Sequence, residues 1–199
     1  MSASSTFPQP LRLGAVVLVG GTGARLGGAD KASLELGGVT LLERALAASM
    51  AASEVVVVGE PVSTTRPVTW TREEPPGGGP AAGLLAGLDA LREPPEAVCV
   101  LAVDMPRVTA ATVARLGCAL EGDRTADAAV LVDGSGRRQP LAGVYRYRSL
   151  VEARPEDRAA ESGLSIRRLV AGLRLVDVPA VGEETRDVDT WEDLRALGG

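Results

Sequence analysis

The sequence predicts a three-layer α/β/α sandwich, in which a mostly parallel sheet of the Rossmann-like kind lies between two layers of helices. Three observations support this prediction. Short, wholly apolar runs recur along the chain, and such runs are typical of strands covered on both faces. Segments with apolar residues at helical spacing alternate with these runs. Segments rich in glycine and proline, which interrupt regular structure, follow several of the runs.

Seven apolar runs are predicted to be strands. The first five follow the alternation of strand and helix, at residues 15–19, 55–58, 68–70, 98–103 and 128–132. Two more, at 141–147 and 173–178, depart from the alternation, so part of the sheet is expected to be mixed. Ligands bind such sheets at the carboxyl ends of the strands, which is where segments 20–31, 72–80 and 104–106 fall.

Helices are predicted from apolar residues at helical spacing and from capping residues before them. Thr40 and Glu43 have capping-box spacing ahead of the first helix. Thr109 can cap a later helix, and Thr190 and Asp193 again have capping-box spacing near the end of the chain. A short terminal helix is therefore expected after Thr190, in addition to helices at 41–50, 81–92, 109–121 and 165–171.

Length and composition indicate one globular domain. The 199 residues, 45% of them hydrophobic, suit a single core, with 1–10 as a flexible N-terminus and 11–199 as the domain. A net charge of −5 without a basic run argues against binding to nucleic acid. No apolar run approaches the ~20 residues of a membrane span, and the start lacks the features of a signal peptide. We therefore expect a cytoplasmic protein that binds no membrane.

The residues that are absent or rare narrow the possible chemistry. The sequence has no histidine, which removes the commonest general base and the commonest zinc ligand. Cys99 and Cys118 have no metal-site spacing, and we expect both to be buried and unreactive in a reducing compartment. Catalysis must then depend on carboxylates, Lys, Arg, hydroxyls, backbone amides or a hard metal ion.

The segment GGTGARLGGADK, residues 20–31, is the strongest candidate site. Its glycines let backbone amides approach an anion closely, and Arg25 and Lys31 add cations that suit phosphates. It is not a P-loop, because no GK[ST] follows the glycines. It comes near a dinucleotide-binding fingerprint, but the acidic residue after the second strand, Glu60, lies about 40 residues on instead of ~20. A flexible surface loop and an NAD(P)-binding oxidoreductase stay open as alternatives.

Asp104 is the second candidate. An apolar strand brings this single carboxylate to its carboxyl end, and Pro106 stops the strand. A lone carboxylate beside a triphosphate suits Mg²⁺, which binds one or two carboxylates and takes water and phosphate oxygens as its other ligands. The alternative interpretation is an aspartate that caps a helix or a turn.

Two further acidic segments could contribute to a site. In the proline- and glycine-rich loop 72–80, Glu73 or Glu74 could contact a sugar hydroxyl, a base or a hydrated metal, although a solvated turn is the alternative. Asp187 and Asp189 precede the terminal helix, where carboxylates favour the helix dipole. One of them could instead give the metal a second oxygen, with Asp189 ahead of Asp187.

Taken in order, these segments resemble the nucleotidyltransferase family with the GT-A-type fold, and within it the molybdenum cofactor guanylyltransferases. The first loop follows the family pattern LAGGxSxRMGxDK, with one extra residue before Asp30. The patterns GPLAG, CDMP, QPL and NTPEDL have their counterparts at 79–83, 103–106, 139–141 and 189–194. Several positions depart from the family. Gly23 replaces a Ser, Asp189 an Asn and Trp191 a Pro. Glu73 or Glu74 stands where an Asp is typical, and Gly59 follows the second strand where some members have a polar contact to the base.

The resemblance implies a role for each matched residue. Arg25, Lys31 and Asp104 would be catalytic, and Asp104 and Asp189 would hold Mg²⁺. The contacts to the nucleotide would come from both glycine-rich segments, through Leu18, Gly20, Gly21, Thr22, Gly23, Arg25, Lys31, Glu73, Glu74, Gly79 and Pro80.

The resemblance also implies a reaction, in which GMP passes from GTP to the phosphate of molybdopterin or Mo-molybdopterin and pyrophosphate leaves. A phosphate monoester is largely dianionic at neutral pH and needs no general base, so a chain without histidine can perform this reaction. Relatives that use CTP or a cobinamide-phosphate acceptor are the nearest alternative. A nucleotide sensor without activity and an interaction domain that binds no nucleotide are the others. Transient contact with molybdenum-cofactor enzymes or their chaperones is expected.

Overall fold

The described residues build a seven-stranded central sheet and a small two-stranded hairpin. The structure is a computed structural model that describes residues 11–19 and 30–198. The strands of the central sheet are β1 (Leu13–Leu18), β4 (Glu54–Val58), β5 (Thr69–Thr71), β6 (Ala97–Ala102), β7 (Ala128–Val132), β8 (Arg138–Arg146) and β9 (Leu175–Pro179). The hairpin consists of β2 (Glu35–Leu36) and β3 (Val39–Thr40).

The strands of the central sheet follow the order β5–β4–β1–β6–β8–β7–β9. β8 runs antiparallel to both of its neighbours, and every other pair is parallel. The sheet is therefore mostly parallel with one reversed strand, which confirms the predicted departure from a purely parallel arrangement. The carboxyl ends of β1, β4, β5 and β6 meet at one edge of the sheet, called the carboxyl edge below.

The helices cover both faces of this sheet. Within the described residues they are α1 (Leu41–Ala48), α2 (Pro80–Asp89), α3 (Ala110–Gly122), α4 (Tyr147–Glu152), α5 (Ile166–Leu169) and α6 (Trp191–Gly198). Residues of α1, α3 and α6 pack against one face, and residues of α2, α4 and α5 pack against the other. This is the predicted three-layer arrangement. No helix in the part of the chain that the structure describes has the length and apolar character needed to cross a membrane.

Strand β1 shows why the apolar runs lack alternation. Ala15 and Val17 pack into the core beside α1 and α3, whereas Val16 and Leu18 pack into the core beneath α2. Successive side chains of a strand point to opposite faces, so a strand between two helical layers needs an apolar residue at every position. Full burial of each valine contributes roughly 1.5–3 kcal/mol, so the two cores together hold the central strands firmly in place.

Helix α2 lies unusually close to β1 because two of its glycines, Gly83 and Gly87, face the sheet. A Cβ atom at Gly87 would come within 2.4 Å of Val16 Cγ1, and one at Gly83 within 3.4 Å of Leu18 Cδ2. Glycine at these positions therefore lets the helix backbone approach the strand. The close packing fixes the start of α2 relative to the carboxyl edge.

Some predicted boundaries differ from those in the structure. The predicted helix 81–92 ends at Asp89, because the amide of Arg92 donates to the carboxylate of Glu54 instead of extending the helix. The predicted strand 141–147 begins at Arg138 and ends at Arg146. Both the short helix α4 and the β2–β3 hairpin were missed, since neither has enough residues to produce a periodic pattern.

Two details predicted for single residues are also corrected. Thr40 caps α1 by accepting from the amide of Glu43 at 3.1 Å, as predicted. The Glu43 carboxylate does not complete the capping box, because it accepts from the amide of Thr65 at 2.7 Å.

Cys99 is buried, and burial raises the pKa of its thiol to about 12. Cys118 is exposed, since it lies on the solvent face of α3, so the prediction that it is buried is wrong.

Candidate active site at the carboxyl edge

Backbone hydrogen bonds join the carboxyl ends of β4, β1 and β6 just past the last residues of these strands. The amide of Val103 donates to the carbonyl of Leu18 at 3.1 Å, and the amide of Val19 donates to the carbonyl of Val58 at 3.1 Å. The chain then turns directly after β6, and the side chain of Asp104 emerges at this turn. The predicted position of Asp104, at the end of an apolar strand, is confirmed.

The segment before α6 is attached to Asp104 through the backbone. The amide of Val188 donates to the carbonyl of Asp104 at 2.8 Å, and the Val188 side chain is fully buried. This anchor places its two neighbours, Asp187 and Asp189, beside the end of β6. The carboxylate of Asp193 then accepts from the amides of Asp189 and Thr190, at 3.2 and 2.8 Å, and so fixes the start of α6.

The side chain of Lys31 also reaches the end of β6, from a different segment of the chain. It begins a short 3₁₀ turn, Lys31–Ser33, in which the carboxylate of Asp30 accepts from the amide of Ala32 at 3.0 Å. The buried side chain of Ala32 holds this turn against the core. The turn directs the Lys31 side chain inwards, so that only 10% of it is exposed.

Lys31 joins the two predicted metal-binding carboxylates. Its Nζ donates to Asp189 Oδ1 at 2.9 Å and lies 3.5 Å from Asp104 Oδ2. The structure therefore brings together three of the residues that the sequence assigned to the site. They come from three separate segments of the chain, and the pair Lys31 and Asp189 is separated by 158 positions.

The charges at this point are unbalanced towards the negative side. Burial raises the pKa of Asp104, and repulsion by Asp189 and Asp187 raises it further, although the ammonium of Lys31 opposes both effects. Burial alone would lower the pKa of Lys31, but the hydrogen bond to Asp189 and the charge of Asp104 outweigh it, so that this pKa is raised. Lys31 is thus held in its charged form among carboxylates that repel one another.

The donor set fits a hard divalent cation. Within residues 11–19 and 30–198, no three acidic or cysteine side chains converge as a ready-made metal site. Mg²⁺ does not need such a site, because one or two carboxylates are enough when phosphate oxygens and water supply its other ligands. Asp104 and Asp189 are two carboxylates held close to one cation, and their mutual repulsion would be relieved by a second positive charge.

The loop 72–80 leads directly into the start of α2. Gly79 is the N-cap of this helix with φ of 90°, a conformation that favours glycine, and Pro80 occupies the first helical turn. The half-buried Glu73 accepts from the amide of Gly77 at 3.1 Å, which holds the loop together. Glu74 is exposed, so Glu73 is the more enclosed of the two candidate glutamates.

Other predicted site residues are core residues or lie outside the described part. Gly20, Gly21, Thr22, Gly23 and Arg25 belong to the segment 20–29, which lies outside the described residues. The buried side chain of Leu18 packs beneath α2, so only its backbone faces the carboxyl edge. The nucleotide contacts of all these residues stay predictions.

One buried ion pair near the site was missed by the sequence reasoning. Glu184 is only 7% exposed, and its carboxylate accepts from Arg115 at 2.8 and 3.0 Å and from the Thr112 hydroxyl at 2.5 Å. These contacts attach the segment before Val188 to α3. No local pattern could identify Glu184, because its partners lie about 70 positions away in the chain.

Comparison with known proteins places this fold and site in context. A family described as MobA-like NTP transferase domain matches residues 15–178. A probable molybdenum cofactor guanylyltransferase from Opitutus terrae is 36% identical over 182 residues, and the match covers 87% of each chain. A molybdenum cofactor guanylyltransferase from Burkholderia ambifaria is 30% identical over 99% of this chain and 98% of its own.

Solved structures give the same fold. The molybdopterin-guanine dinucleotide biosynthesis protein A of Archaeoglobus fulgidus has a TM-score of 0.69 at 24% identity, over 92% of this chain and 96% of its own. The 2-C-methyl-D-erythritol 4-phosphate cytidylyltransferase of Thermus thermophilus has a TM-score of 0.67 at 24% identity, with the same coverage. These likenesses confirm the predicted GT-A-type architecture.

Proposed function

This chain belongs to the MobA-like NTP transferase domain family and is a nucleotidyltransferase, and we propose that it transfers GMP from GTP to the phosphate of molybdopterin or Mo-molybdopterin. Pyrophosphate is the second product. The observation that carries the proposal is the meeting of Lys31 with Asp104 and Asp189 at the carboxyl edge. This cluster lies where the glycine-rich segment leaves β1, so a triphosphate bound by that segment would reach it.

Mg²⁺ is the cofactor that this donor set suits, and Asp104 and Asp189 would hold it. When bound, the ion would neutralise charge on the phosphate oxygens and stabilise the leaving group. The support for two carboxylates is the geometry around Lys31, where both lie within ion-pair distance of one nitrogen. Asp187 is exposed and acts on Asp104 through its charge, so it ranks behind Asp189.

The protein's own groups would position the reactants and offset charge. An oxygen of the acceptor phosphate attacks the α-phosphorus of GTP, the bond from that phosphorus to the bridging oxygen breaks, and pyrophosphate leaves with the bonding electrons. The attacking phosphate is already largely dianionic, so no side chain has to remove a proton from it. Lys31 and Arg25 would offset the negative charge of the triphosphate in the transition state.

The nucleotide would be bound mainly by backbone groups on both sides of β1. Gly20, Gly21, Thr22 and Gly23 would approach the base, ribose and phosphates from the segment after the strand. Gly79 and Pro80 begin α2 at the same edge. Glu73, the more enclosed of the two glutamates, would contact a polar group of the nucleoside in preference to Glu74. The support for these roles is the position of loop 72–80 beside β1, which the close packing of α2 fixes.

The alternatives are weaker. A cytidylyltransferase shares the fold at 24% identity, which carries no argument for CTP as the substrate of this chain. The family argues against an NAD(P)-dependent oxidoreductase, and Glu60, which that interpretation requires, pairs with Arg72 at the surface. A cytoplasmic location stays an expectation from the sequence, and transient contacts with molybdenum-cofactor enzymes or their chaperones stay an expectation from the resemblance.

The proposal is tested by pyrophosphate release from each of the four nucleoside triphosphates, with and without Mg²⁺. Molybdopterin and cobinamide phosphate serve as the two acceptors. We expect release only with GTP, Mg²⁺ and molybdopterin together. Release with CTP or with cobinamide phosphate would move the assignment to a related enzyme, and a lack of release in every combination would contradict it.

A further inference from the structure

Residues 154–164 run beside α2, from the last residue of this helix back to the loop before it. At one end of the segment, the side chain of Arg154 contacts Asp89, with which α2 ends. At the other end, the amide of Gly163 donates to the carbonyl of Gly78 at 2.8 Å. We call residues 154–164 the brace, because they connect the end of α2 with loop 72–80. The proposed reaction assigns no role to the brace.

A nearly buried arginine fixes the brace to the end of α2. The side chain of Arg154 is only 16% exposed. Its two terminal nitrogens donate to the two carboxylate oxygens of Asp89 at 2.8 and 2.9 Å, and one of them also donates to the carbonyl of Leu85 at 3.1 Å. Paired hydrogen bonds between a guanidinium and a carboxylate fix orientation as well as distance. The brace is therefore held at a defined position on α2.

The same guanidinium also compensates a buried charge within the brace. Arg154 Nε lies 3.1 Å from Glu161 Oε1, and the Glu161 side chain is only 14% exposed. Neither atom has a hydrogen-bond partner among the described residues. Their ion pair is thus what offsets the burial of both atoms. A variant without the guanidinium would leave the Glu161 carboxylate buried and unpaired, so the 3₁₀ helix that it ends, Arg158–Glu161, would have to move.

Arg158 pairs with the same carboxylate of α2 but contributes less. Its Nη1 lies 3.2 Å from Asp89 Oδ2, and its side chain is 71% exposed. Exposed ion pairs of this kind contribute little, because water screens them. The pKa of Asp89 is lowered mainly by its hydrogen bond from Arg154, and the charge of Arg158 has a smaller effect. Arg154 is therefore the residue that holds the brace.

The other end of the brace restrains loop 72–80 at the start of α2. The hydrogen bond from the amide of Gly163 fixes the carbonyl of Gly78. The next residue of the brace, Leu164, lies beside Gly79, the N-cap of α2, since its carbonyl oxygen would be 3.9 Å from a Cβ atom placed there. The brace thus contacts two consecutive glycines of the loop directly before the helix begins.

A cavity of about 310 Å³ lies between the loop, α2 and the brace. The loop contributes Glu73, Glu74 and Gly78 to its lining, and the brace contributes Arg158 and Ser162. Because the two segments do not pack against each other across this space, the contacts at residues 78 and 79 are what holds the loop to the brace. The loop has room to move once these contacts are lost.

Helix α2 gives the brace a rigid support. Its ten residues span roughly 15 Å, and Gly87 lies directly against Val16 of the sheet. Arg154 holds the brace at one end of this helix, and the brace acts on loop 72–80 at the other end. Any effect of Arg154 on a nucleotide bound at the loop must therefore pass through the brace.

We propose that Arg154 is a positioning residue for the nucleotide, which through the brace holds loop 72–80 in the conformation that binds GTP. This inference rests on the proposed function, in which Glu73, Gly79 and Pro80 contact the nucleotide. Arg154 itself contacts no substrate. It therefore sets the affinity for GTP and leaves the chemical step unchanged once GTP is bound.

The first experiment measures amide hydrogen exchange in the intact protein without any nucleotide. In Arg154→Met, which keeps an apolar stem and removes the guanidinium, we expect the amides of Gly163 and Gly77 to exchange roughly tenfold faster. The amides of β1 and β6 should exchange as in the unmodified protein, since both strands lie in the middle of the sheet. Unchanged exchange at Gly163 would overturn the proposal.

Arg158→Met is the matched control. Arg158 lies in the same brace and contacts the same carboxylate as Arg154, but its ion pair is exposed. We expect this variant to show the amide exchange and the GTP affinity of the unmodified protein. Equal effects of Arg154→Met and Arg158→Met would indicate a general effect of charge near Asp89 and would contradict a specific role of Arg154.

Asp89→Asn is a milder variant that serves if Arg154→Met does not fold. It keeps the shape of the side chain, and the loss of a negative charge at the end of a helix does not weaken α2 itself. We expect about threefold faster exchange at Gly163 and about threefold weaker binding of GTP. Exchange and GTP affinity that both match the unmodified protein would count against the brace.

The second experiment compares the affinity for GTP, measured by calorimetry, with the kinetics of transfer. With Mg²⁺ and molybdopterin, Arg154→Met should raise the KM for GTP roughly tenfold, while kcat and the KM for molybdopterin change by at most about twofold. Arg154→Lys, which keeps a charge beside Glu161 but cannot form the paired bonds to Asp89, should fall between the two proteins.

The outcomes distinguish the brace from the proposed function. Faster exchange at Gly163 without a change in GTP affinity, or a lower kcat with an unchanged KM for GTP, would show that Arg154 does not position the nucleotide, while the function stands. A lack of transfer by the unmodified protein, together with GTP binding that depends on Arg154, would show that the proposed function is wrong while this inference stands.

Discussion

The Nζ of Lys31 lies 2.9 Å from Asp189 Oδ1 and 3.5 Å from Asp104 Oδ2, so one ammonium joins two carboxylates from distant segments. Lys31 is the only lysine in the sequence, and every other basic side chain is an arginine. An ammonium is a compact charge that can face several oxygens at once, whereas a guanidinium is a planar fork. In the free protein, this ammonium supplies positive charge at the place where a divalent cation is expected.

Replacing Lys31 by Met should strengthen the binding of a divalent cation in the absence of nucleotide. The metal would no longer compete with an internal ammonium for Asp104 and Asp189, and we expect Mn²⁺ alone to bind roughly tenfold more tightly. Titration followed by electron paramagnetic resonance measures this affinity.

Lys31→Arg is the control for this variant, because it keeps the positive charge and should keep the weak binding of Mn²⁺. The affinity of Lys31→Met for GTP should fall in the same experiment. If Mn²⁺ binds equally to all three proteins, Lys31 does not occupy the metal position.

Replacing Asp104 by Asn should remove activity without unfolding the protein. Asn keeps the shape of the side chain and removes a charge that is disfavoured by burial and by two neighbouring carboxylates. We expect pyrophosphate release to fall by about 10²-fold or more, while the melting temperature stays the same or rises. Asp187→Asn, at an exposed position, should lose much less activity. Normal turnover by Asp104→Asn would contradict the metal assignment.

Glu184 should make a pH-dependent contribution to stability. Burial alone would raise its pKa, but hydrogen bonds from Arg115, Thr112 and the amide of Val181 outweigh this and lower the pKa from 4.5 to about 2. The charged form is therefore stabilised on folding, so the contribution is complete above pH 4.5 and is lost as the pH falls towards 2.

Urea unfolding of Glu184→Gln measures this contribution. At pH 7 we expect a loss of about 2–3 kcal/mol in the free energy of unfolding, and the difference from the unmodified protein should shrink below pH 4.5. Glu183→Gln is the control, since Glu183 forms a surface pair with Arg186 and should contribute at most ~1 kcal/mol. A loss that does not change with pH would point to packing instead of charge.

Gly87→Ala should destabilise the protein through a single added methyl group. The new Cβ would lie 2.4 Å from Val16 Cγ1, so α2 must move away from β1, at a cost of about 1–3 kcal/mol. Gly117→Ala in α3 is the matched control, because a Cβ there meets nothing within 4 Å and should stabilise the helix by ~0.5–1 kcal/mol. Thermal unfolding of the two variants compares them directly.

The two cysteines should differ in reactivity towards a thiol reagent. Cys99 is buried with its pKa raised to about 12, so its thiolate is scarce and inaccessible. Cys118 is exposed and should react in the native protein. We expect one fast equivalent of reaction, which Cys118→Ser abolishes, and a second equivalent only after unfolding.

The parts that the sequence could predict are those that depend on neighbours along the chain. The wholly apolar run before Asp104 predicts both a buried strand and a carboxylate at its end, since a covered strand must stop where a charge appears. Thr40 and Thr109 identify helix starts because a cap acts over three residues. The short helix α4 and the β2–β3 hairpin escaped prediction because they are too short for a period to emerge.

The sequence by itself determined the fold class, the strand ends at which a site can form, and the residues with suitable chemistry. Only the tertiary structure decided that Lys31 meets Asp189 across 158 positions and that Glu184 is buried against Arg115. These contacts depend on strand order, on the reversal of β8 and on the packing distance of α2. Such features arise from the balance of the whole core, and no local pattern of residues encodes them.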